Sequence, residues 1–313
     1  MGGIGIVNNP RSRRNRGRPS LAHRLREQLA NDGEVIDAGT PDELSAAIER
    51  FRADGVDVVA VNGGDGTGHL VLTELARAFG DAPLPRILLL RGGAMNTVAH
   101  GHGIAGGPER ILGEVLERRR NGFPLRTAAR DLLRVSSDGA PPRYGFIFGT
   151  GIVVAFLDEF YRAHNPSPAS AALLVARGIG SALLGGPFAS ALTRRARLRV
   201  ATDGDEWEDA SYLALAAGST PDAGFGFRAF HRCGEQPGSF HAVGVTGTLG
   251  QLALSLPRLR HGRPWRRRVA QDEVARELVV EGEAPRYTID GDLYAAERSV
   301  RVETGPAVEI VLP

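Results

Sequence analysis

Residues 57–67 read DVVAVNGGDGT, and the fold follows from them. The first part, 57–61, is a short apolar run rich in valine, as a strand buried on both faces requires. The second, Gly63-Gly64-Asp65-Gly66-Thr67, is a glycine turn leading into a helical pattern from about Thr67 to Phe79. Glycines permit positive φ and close approach of a ligand, and a helix start offers unpaired N–H groups to a phosphate. Asp65 is placed to take a ribose hydroxyl or a nucleotide-bound magnesium ion, and Thr67 to donate to a phosphate oxygen. A tight turn that binds nothing fits the same residues about equally well.

Outward from this turn the same alternation repeats. Residues 3–7 (GIGIV) and 86–90 (RILLL) are further buried strands, with a weaker one at 34–37. Leu21, Leu25 and Leu29 recur every fourth residue, and Leu44, Ala47, Ile48 and Phe51 follow one helical face. Thr40, Pro41 and Glu43 form a capping box with proline in the first turn. A further helix runs from Pro108 to Arg120. Strand and helix in alternation imply right-handed crossovers and a doubly wound parallel α/β sheet, with ligands at the carboxyl ends of its strands.

After Asn121-Gly122 and Pro124 the pattern changes. Apolar stretches at 143–157, 207–217, 240–246, 286–289 and 298–312 are separated by turns, among them Asp203-Gly204, and read as antiparallel β structure. Helical insertions interrupt it at 169–193 and 247–260. The expected domains are 1–124, a nucleotide-binding α/β domain, and 125–313, an all-β sandwich, with the last strand, about 306–313, returning to the first.

Composition narrows the chemistry. The 313 residues are 42% hydrophobic and 24% charged, which excludes disordered and fibrous classes. No lysine occurs, so all 38 basic residues are arginine; Schiff-base enzymes and Walker-type phosphate loops are excluded. Arginines cluster at 11–18, 118–120, 194–199 and 258–268, as suits phosphate or anionic lipid; for the last three a solvated face fits equally. The lone Cys233 reads as a small buried hydrophobe. The N-terminus lacks a secretory pattern and the uncharged run 178–193 is short for a bilayer, so a cytoplasmic location is expected, with peripheral contact at the inner membrane surface. Nucleic acid is not expected, because no aromatic residues interleave with the 11–18 cluster.

Two more loops stand at strand ends: Asn8-Asn9-Pro10-Arg11-Ser12-Arg13, and Arg91-Gly92-Gly93-Ala94-Met95-Asn96-Thr97. Three such loops on one sheet favour an anionic nucleotide. With them the chain resembles the diacylglycerol kinase and sphingosine kinase catalytic fold, above all its soluble bacterial lipid-kinase branch. Asn9-Pro10-Arg11-Ser12-Arg13 is similar to the family's NP-x-S-G loop, 63–67 matches GGDGT, Gly93 to Thr97 is similar to G-T-x-N-D, and Asp290-Gly291-Asp292 is similar to D-G-E. NAD kinases also carry GGDGT, so order and spacing give the resemblance its specificity.

The resemblance implies an ATP-dependent kinase acting on a hydroxyl of a lipid such as diacylglycerol or a sphingoid alcohol. It places the nucleotide on Asn9, Arg11, Ser12, Thr40, Gly63, Gly64, Asp65, Gly66, Thr67, His69, Gly93 and Asn96. Asp292 becomes the general base, with Asp290 beside it; on composition alone Asp290-Gly291 is a hairpin turn, and Asp203-Gly204-Asp205 is an equal look-alike. ATP with its magnesium ion is the expected cofactor, and a homodimer is among the expected assemblies. An apolar acceptor pocket is expected from Phe146 to Phe156 and Phe225 to Phe230. Headgroup anchoring is expected from 169–199 through Arg194, Arg195, Arg197 and Arg199.

Departures from the family pattern are specific. Arg13, Ala94, Thr97 and Leu70 stand where glycine, threonine, an acid and glutamate are usual, and Asp292 is one methylene, about 1.5 Å, shorter than glutamate. Pro237 stands where a structural-magnesium aspartate is usual, so no dedicated metal site is expected. A non-catalytic nucleotide- or lipid-binding member of the fold, and an NAD kinase-like enzyme, are the competing readings.

Overall fold

The computed structural model describes residues 2–18, 20–162, 168–183, 196–208, 211–283 and 285–313. Two compact units divide the chain: Met1–Leu132 with Pro306–Pro313, and Leu133–Gly305.

The first unit is a wound parallel sheet. Its strands are β1 (Ile4–Asn8), β2 (Gly33–Asp37), β3 (Val58–Asn62) and β4 (Arg86–Leu89). They lie in the order β2-β1-β3-β4, every pair parallel. Every residue of β1 and β3 is buried, as strands covered on both faces must be. Between them run α1 (Arg13–Arg16), α2 (Ser20–Leu29), α3 (Pro41–Ala53), α4 (Asp65–Phe79), α5 (Thr97–Gly101) and α6 (Pro108–Arg120). The periodic leucines of α2 and the Leu44, Ala47, Ile48 and Phe51 face of α3 are buried. Phe51 explains Gly5 in β1: a Cβ there would lie 2.8 Å from the ring, so the glycine lets the helix ring rest on the strand backbone.

Electrostatic ties at the sheet's rear absorb the 118–120 arginines. Arg119 pairs with Asp57 at 2.9 Å, Arg120 with Asp32 at 2.6 Å, and Arg118 donates to the Pro124 carbonyl at 3.0 Å. This cluster holds the fold.

The second unit is built from antiparallel strands. The chain enters it along β5 (Arg126–Ser137), followed by β6 (Arg143–Gly145) and β7 (Ile147–Gly151). Next come α7 (Ile152–Arg162), α8 (Pro168–Leu183), the short β8 (Ala196–Arg197), β9 (Arg199–Thr202), β10 (Asp205–Glu206), β11 (Ser211–Tyr212) and β12 (Ala214–Gly218). The rest are β13 (Phe240–Val245), α9 (Leu249–Arg260), β14 (Ala270–Ala275), β15 (Glu277–Glu281), β16 (Arg286–Ile289), β17 (Asp292–Ala295) and β18 (Ser299–Leu312). One sheet has the order β14-β13-β12-β7-β16-β17, and every neighbour in it is antiparallel. Facing it, β9, β15 and the first half of β18 pair antiparallel. Phe148, Leu215, Phe240, Tyr287 and Ile289 from the first sheet meet Leu133, Val200, Leu278, Val280 and Val302 in one core. The last residues of β18 return to the first unit, where Ile310 pairs parallel with Ile87 of β4.

Turn chemistry matches these hairpins. Asp203-Gly204 joins β9 to β10 with φ of 49° and 93°, and Asp290-Gly291 joins β16 to β17 with φ of 47° and 96°. Both are left-handed two-residue turns that asparagine, aspartate and glycine tolerate. The Asp203 carboxylate accepts from the Arg276 and Glu277 amides at 2.9 and 2.8 Å, so this look-alike is a structural turn.

The apolar stretch 143–157 is not one strand. Gly151, at φ 67°, ends β7, and from Ile152 the chain is helical, with Val154 and Phe160 turned inward. A run of apolar residues suits either state; the left-handed glycine decides it. Cys233 is half-buried against the apolar cluster on the outer face of the same sheet. Arg194 and Arg195 lie outside the described residues. Arg199 approaches Glu206 and Glu281 at 3.9 and 3.8 Å, so it faces carboxylates.

Candidate functional site

The loops after β1, β3 and β4 are tied into one rim within the first unit. Asn9 Nδ2 donates to Thr67 Oγ1 at 2.9 Å, and Asn9 Oδ1 accepts from the Arg11 amide at 2.9 Å. Ser12 Oγ donates to the Gly92 carbonyl at 3.2 Å, which also accepts the Arg14 amide at 3.1 Å. Asp65, at the start of α4, accepts from the amides of Thr97 and Val98 at 2.9 and 3.2 Å. It therefore caps α5. Burial pushes its carboxyl above the ordinary value, while the two amides pull the other way. A carboxylate so engaged ties the loop after β3 to the loop after β4.

The glycines also differ from expectation. None of Gly63, Gly64, Gly66, Gly92 and Gly93 has left-handed φ. A Cβ on Gly93 would lie 2.2 Å from Gly64 Cα, and one on Gly92 would lie 2.8 Å from Asn62 Oδ1. Glycine is required here because two loop backbones touch each other. A Cβ on Gly63 would collide with the Thr67 side chain at 2.4 Å, so this glycine lets the helix begin directly against the strand end.

Beneath the rim lies a network that sequence reading missed. Asn8 Oδ1 accepts from Asn62 Nδ2 at 2.7 Å and Asn15 Nδ2 at 3.2 Å, while Asn15 also donates to the Asn9 and Asn62 carbonyls at 2.8 and 2.9 Å. All three side chains are buried. Parallel register sets Asn8 opposite Asn62, each closing an apolar strand, and that shared position was the available signal.

Other expected site residues also make bonds within the chain. Asn96 stands at φ 52° and ψ 47°; its side chain accepts from the Gly93 amide at 3.0 Å and donates to the Gly93 carbonyl at 3.1 Å. It closes its own loop. His69 is fully buried on α4. Thr40 caps α3 as read: its hydroxyl accepts from the Glu43 amide at 3.3 Å, and Glu43 accepts from Gly39 and Thr40 at 2.7 and 3.0 Å. Those amides, the Thr40 hydroxyl and Arg11 hold the Glu43 carboxyl below its ordinary value. Such a cap contributes about 1 kcal/mol. Arg11 lies exposed beside it.

What the rim offers a ligand is the start of α4. Gly64 is its N-cap and gives no side-chain bond, so the helix keeps its positive end. Arg91, at φ 58°, donates to the Gly106 carbonyl at 3.2 Å and meets His100 Nε2 at 2.9 Å. Burial first, then Arg14, pushes its guanidinium below the ordinary value. Two arginines are thus held near each other at the loop after β4.

In the second unit, Asp292 opens β17 directly after the Asp290-Gly291 turn. Asp290 does not stand free beside it. Both its oxygens accept from the Phe146 amide at 3.1 and 3.0 Å, and one also from Ile147 at 2.8 Å, which fixes the hairpin to the start of β7. Tyr161 of α7 donates to the Gly291 carbonyl at 3.0 Å, and Arg286 grips Asp158 of α7 at 2.6 and 2.9 Å. That helix brings aromatic rings: Phe156 stacks on Phe160 and meets Phe225 edge-on, each at 6.1 Å. Phe146 and Phe148 are fully buried in contrast. The Tyr294 hydroxyl is pushed up to about 12 by burial and then by Asp292. Among the described residues no group of three His, Cys, Asp or Glu side chains is arranged to hold a metal, and no helix is long and apolar enough to cross a membrane.

Comparisons with known proteins agree with this layout. Residues 4–125 match the family model of the diacylglycerol kinase catalytic domain. No curated protein matches the sequence. A crystal structure of a diacylglycerol kinase from Bacillus anthracis str. Sterne superposes with a TM-score of 0.65 at 12% identity, covering 99% of this chain and 97% of that one. An NAD kinase from Archaeoglobus fulgidus in complex with ATP gives 0.50 at 12% identity over 98% and 93% of the two chains. Yeast NADH kinase complexed with NADH gives 0.52 at 10% identity over 100% and 84%.

Proposed function

We propose that this chain, whose residues 4–125 match the family model of the diacylglycerol kinase catalytic domain, transfers the terminal phosphate of ATP to a hydroxyl of a lipid. The observation that carries the reading is the Asp292 hairpin, a carboxylate whose turn is bonded to a helix bearing Phe156 and the half-exposed Tyr161. A carboxylate beside an aromatic surface suits an alcohol with a hydrocarbon tail better than a nicotinamide dinucleotide.

In this reading the first-turn amides of α4 take phosphate oxygens, with Arg11 and Ser12 on the neighbouring loop adding charge and a hydroxyl. Asn9, Asp65 and Asn96 hold the loops in register and do not touch the nucleotide. Magnesium travels with ATP and supplies charge neutralisation on the phosphates. Asp292 accepts the proton of the acceptor alcohol as its oxygen bonds to phosphorus and ADP leaves. Asp290 positions that carboxylate through its amide bonds.

The test is incubation with γ-labelled ATP and detergent-dispersed diacylglycerol, sphingoid base or ceramide, with NAD as a separate acceptor. Label in a lipid is the expected result. Bound ATP with no labelled lipid would contradict the reading, and label in the dinucleotide would replace it with an NAD kinase.

A further inference from the structure

No aspartate or glutamate stands between Glu235 and Asp272, and within that interval lie Arg258, Arg260, Arg263, Arg266, Arg267 and Arg268. Elsewhere Arg119, Arg120, Arg199 and Arg286 each meet a carboxylate. Here Arg258 and Arg260 donate to the carbonyls of Pro264 and Phe225. For Arg263, Arg266, Arg267 and Arg268 there is no ion pair among the described residues, and all four are exposed. Their positions are fixed by the backbone: the Val269 amide donates to the Arg266 carbonyl at 2.7 Å, and the Trp265 indole donates to the Ala229 carbonyl at 2.9 Å.

The neighbouring helices carry two exposed leucines. Helix α9 begins at a Thr248 capping box, turns Ser255 and Leu259 inward, and leaves Leu254 73% exposed. Between Leu254 and the arginine turn is a groove of about 220 Å³ lined by Gln251, Leu254, Arg266, Arg267, Arg268 and Val269. Helix α8 packs against α9 and exposes Leu173 by 70%. A monomer in water gains nothing from two such leucines beside unpaired guanidinium groups. At an interface between headgroups and acyl chains, the leucines enter the apolar layer and the arginines meet phosphates.

We propose that this face docks on an anionic phospholipid bilayer, with Leu254 and Leu173 inserted and Arg266, Arg267 and Arg268 on the headgroup phosphates. A nucleic acid fits less well, because no aromatic ring lines the groove for stacking and the Trp265 indole N–H is already bonded. The surface goes beyond the kinase reading, since docking requires no turnover.

Sedimentation of the full chain with vesicles, without ATP, tests it. Binding is expected to vesicles of phosphatidylcholine containing phosphatidylglycerol and not to phosphatidylcholine alone, and to weaken as salt is raised. Replacing Arg266, Arg267 and Arg268 together with glutamine should weaken binding by about fivefold per arginine. Leu254→Gln should weaken it severalfold with charge unchanged, and both variants should melt as the wild type does. The proposal is overturned by a triple variant that sediments as well as the wild type, by equal binding to neutral vesicles, or by wild-type binding in Leu254→Gln with single-stranded RNA displacing the vesicles. Vesicle binding by a chain that transfers no phosphate would support docking while the kinase reading fails. Phosphorylation of dispersed lipid by a chain that ignores vesicles would do the reverse.

Discussion

Asp292→Asn is expected to lower phosphate transfer by about two to four orders of magnitude while the affinity for MgATP stays nearly constant. Asparagine keeps the size of the side chain and cannot accept the proton of the acceptor alcohol. No neighbouring group replaces it. Tyr294, with its hydroxyl pushed up to about 12, stays protonated at neutral pH, and Arg143 lies over its ring at 4.3 Å. Asp290→Asn should behave differently, because the Asp290 carboxylate accepts from two buried amides and its loss loosens the hairpin as well as the chemistry. Asp292→Glu restores the family's residue and should retain turnover. Initial rates beside calorimetric ATP affinities separate these outcomes, and wild-type turnover in Asp292→Asn would remove Asp292 from the reaction.

Gly93→Ala is expected to abolish nucleotide binding and to cost about 1–3 kcal/mol or more of stability. The added methyl would lie 2.2 Å from Gly64 Cα, and both sides of that contact are backbone, so no side chain can swing away. Relief requires the loops after β3 and β4 to part, and the first turn of α4 moves with them. Gly68→Ala is the control on the same helix: nothing lies within 4 Å of its Cβ position, and alanine favours the helix by up to about 1 kcal/mol. Urea titrations and ATP affinities of the pair check this. A stable Gly93→Ala with wild-type affinity would show that the loop contact is not required.

The wound half was legible because its signals are local. Strands such as Val58–Asn62 are apolar throughout, helix faces repeat every three to four residues, and Thr40 with Glu43 announces a helix start within four positions. The loops were legible as a rim but not in their working parts. Gly64 and Gly93 look in sequence like loop positions open to a ligand; the close approach of their two backbones is a second demand on them that no local pattern announces. The loop-tying bonds of Asp65 are hidden in the same way, since its amide donors come from another loop.

The β half yields less to reading because its polar residues have distant partners. Strand β14 contains Gln271, Asp272 and Glu273, which look like a loop. Asp272 accepts from Arg232 at 3.3 Å and bonds buried His241 at 2.9 Å, and Glu273 accepts from Thr202. Those bonds satisfy a polar strand that periodicity alone rejects. The Asp290 turn was ambiguous in the same way: its composition gives a hairpin, and only the Phe146 and Ile147 amides show which carboxylate is committed to structure.

Crystals grown with a non-hydrolysable ATP analogue and magnesium test the account at its centre. The phosphates are expected within hydrogen-bond distance of the Gly66 and Thr67 amides at the first turn of α4, with the loops after β1 and β4 unmoved. Phosphates bound elsewhere on the chain, with that turn left to solvent, would contradict it.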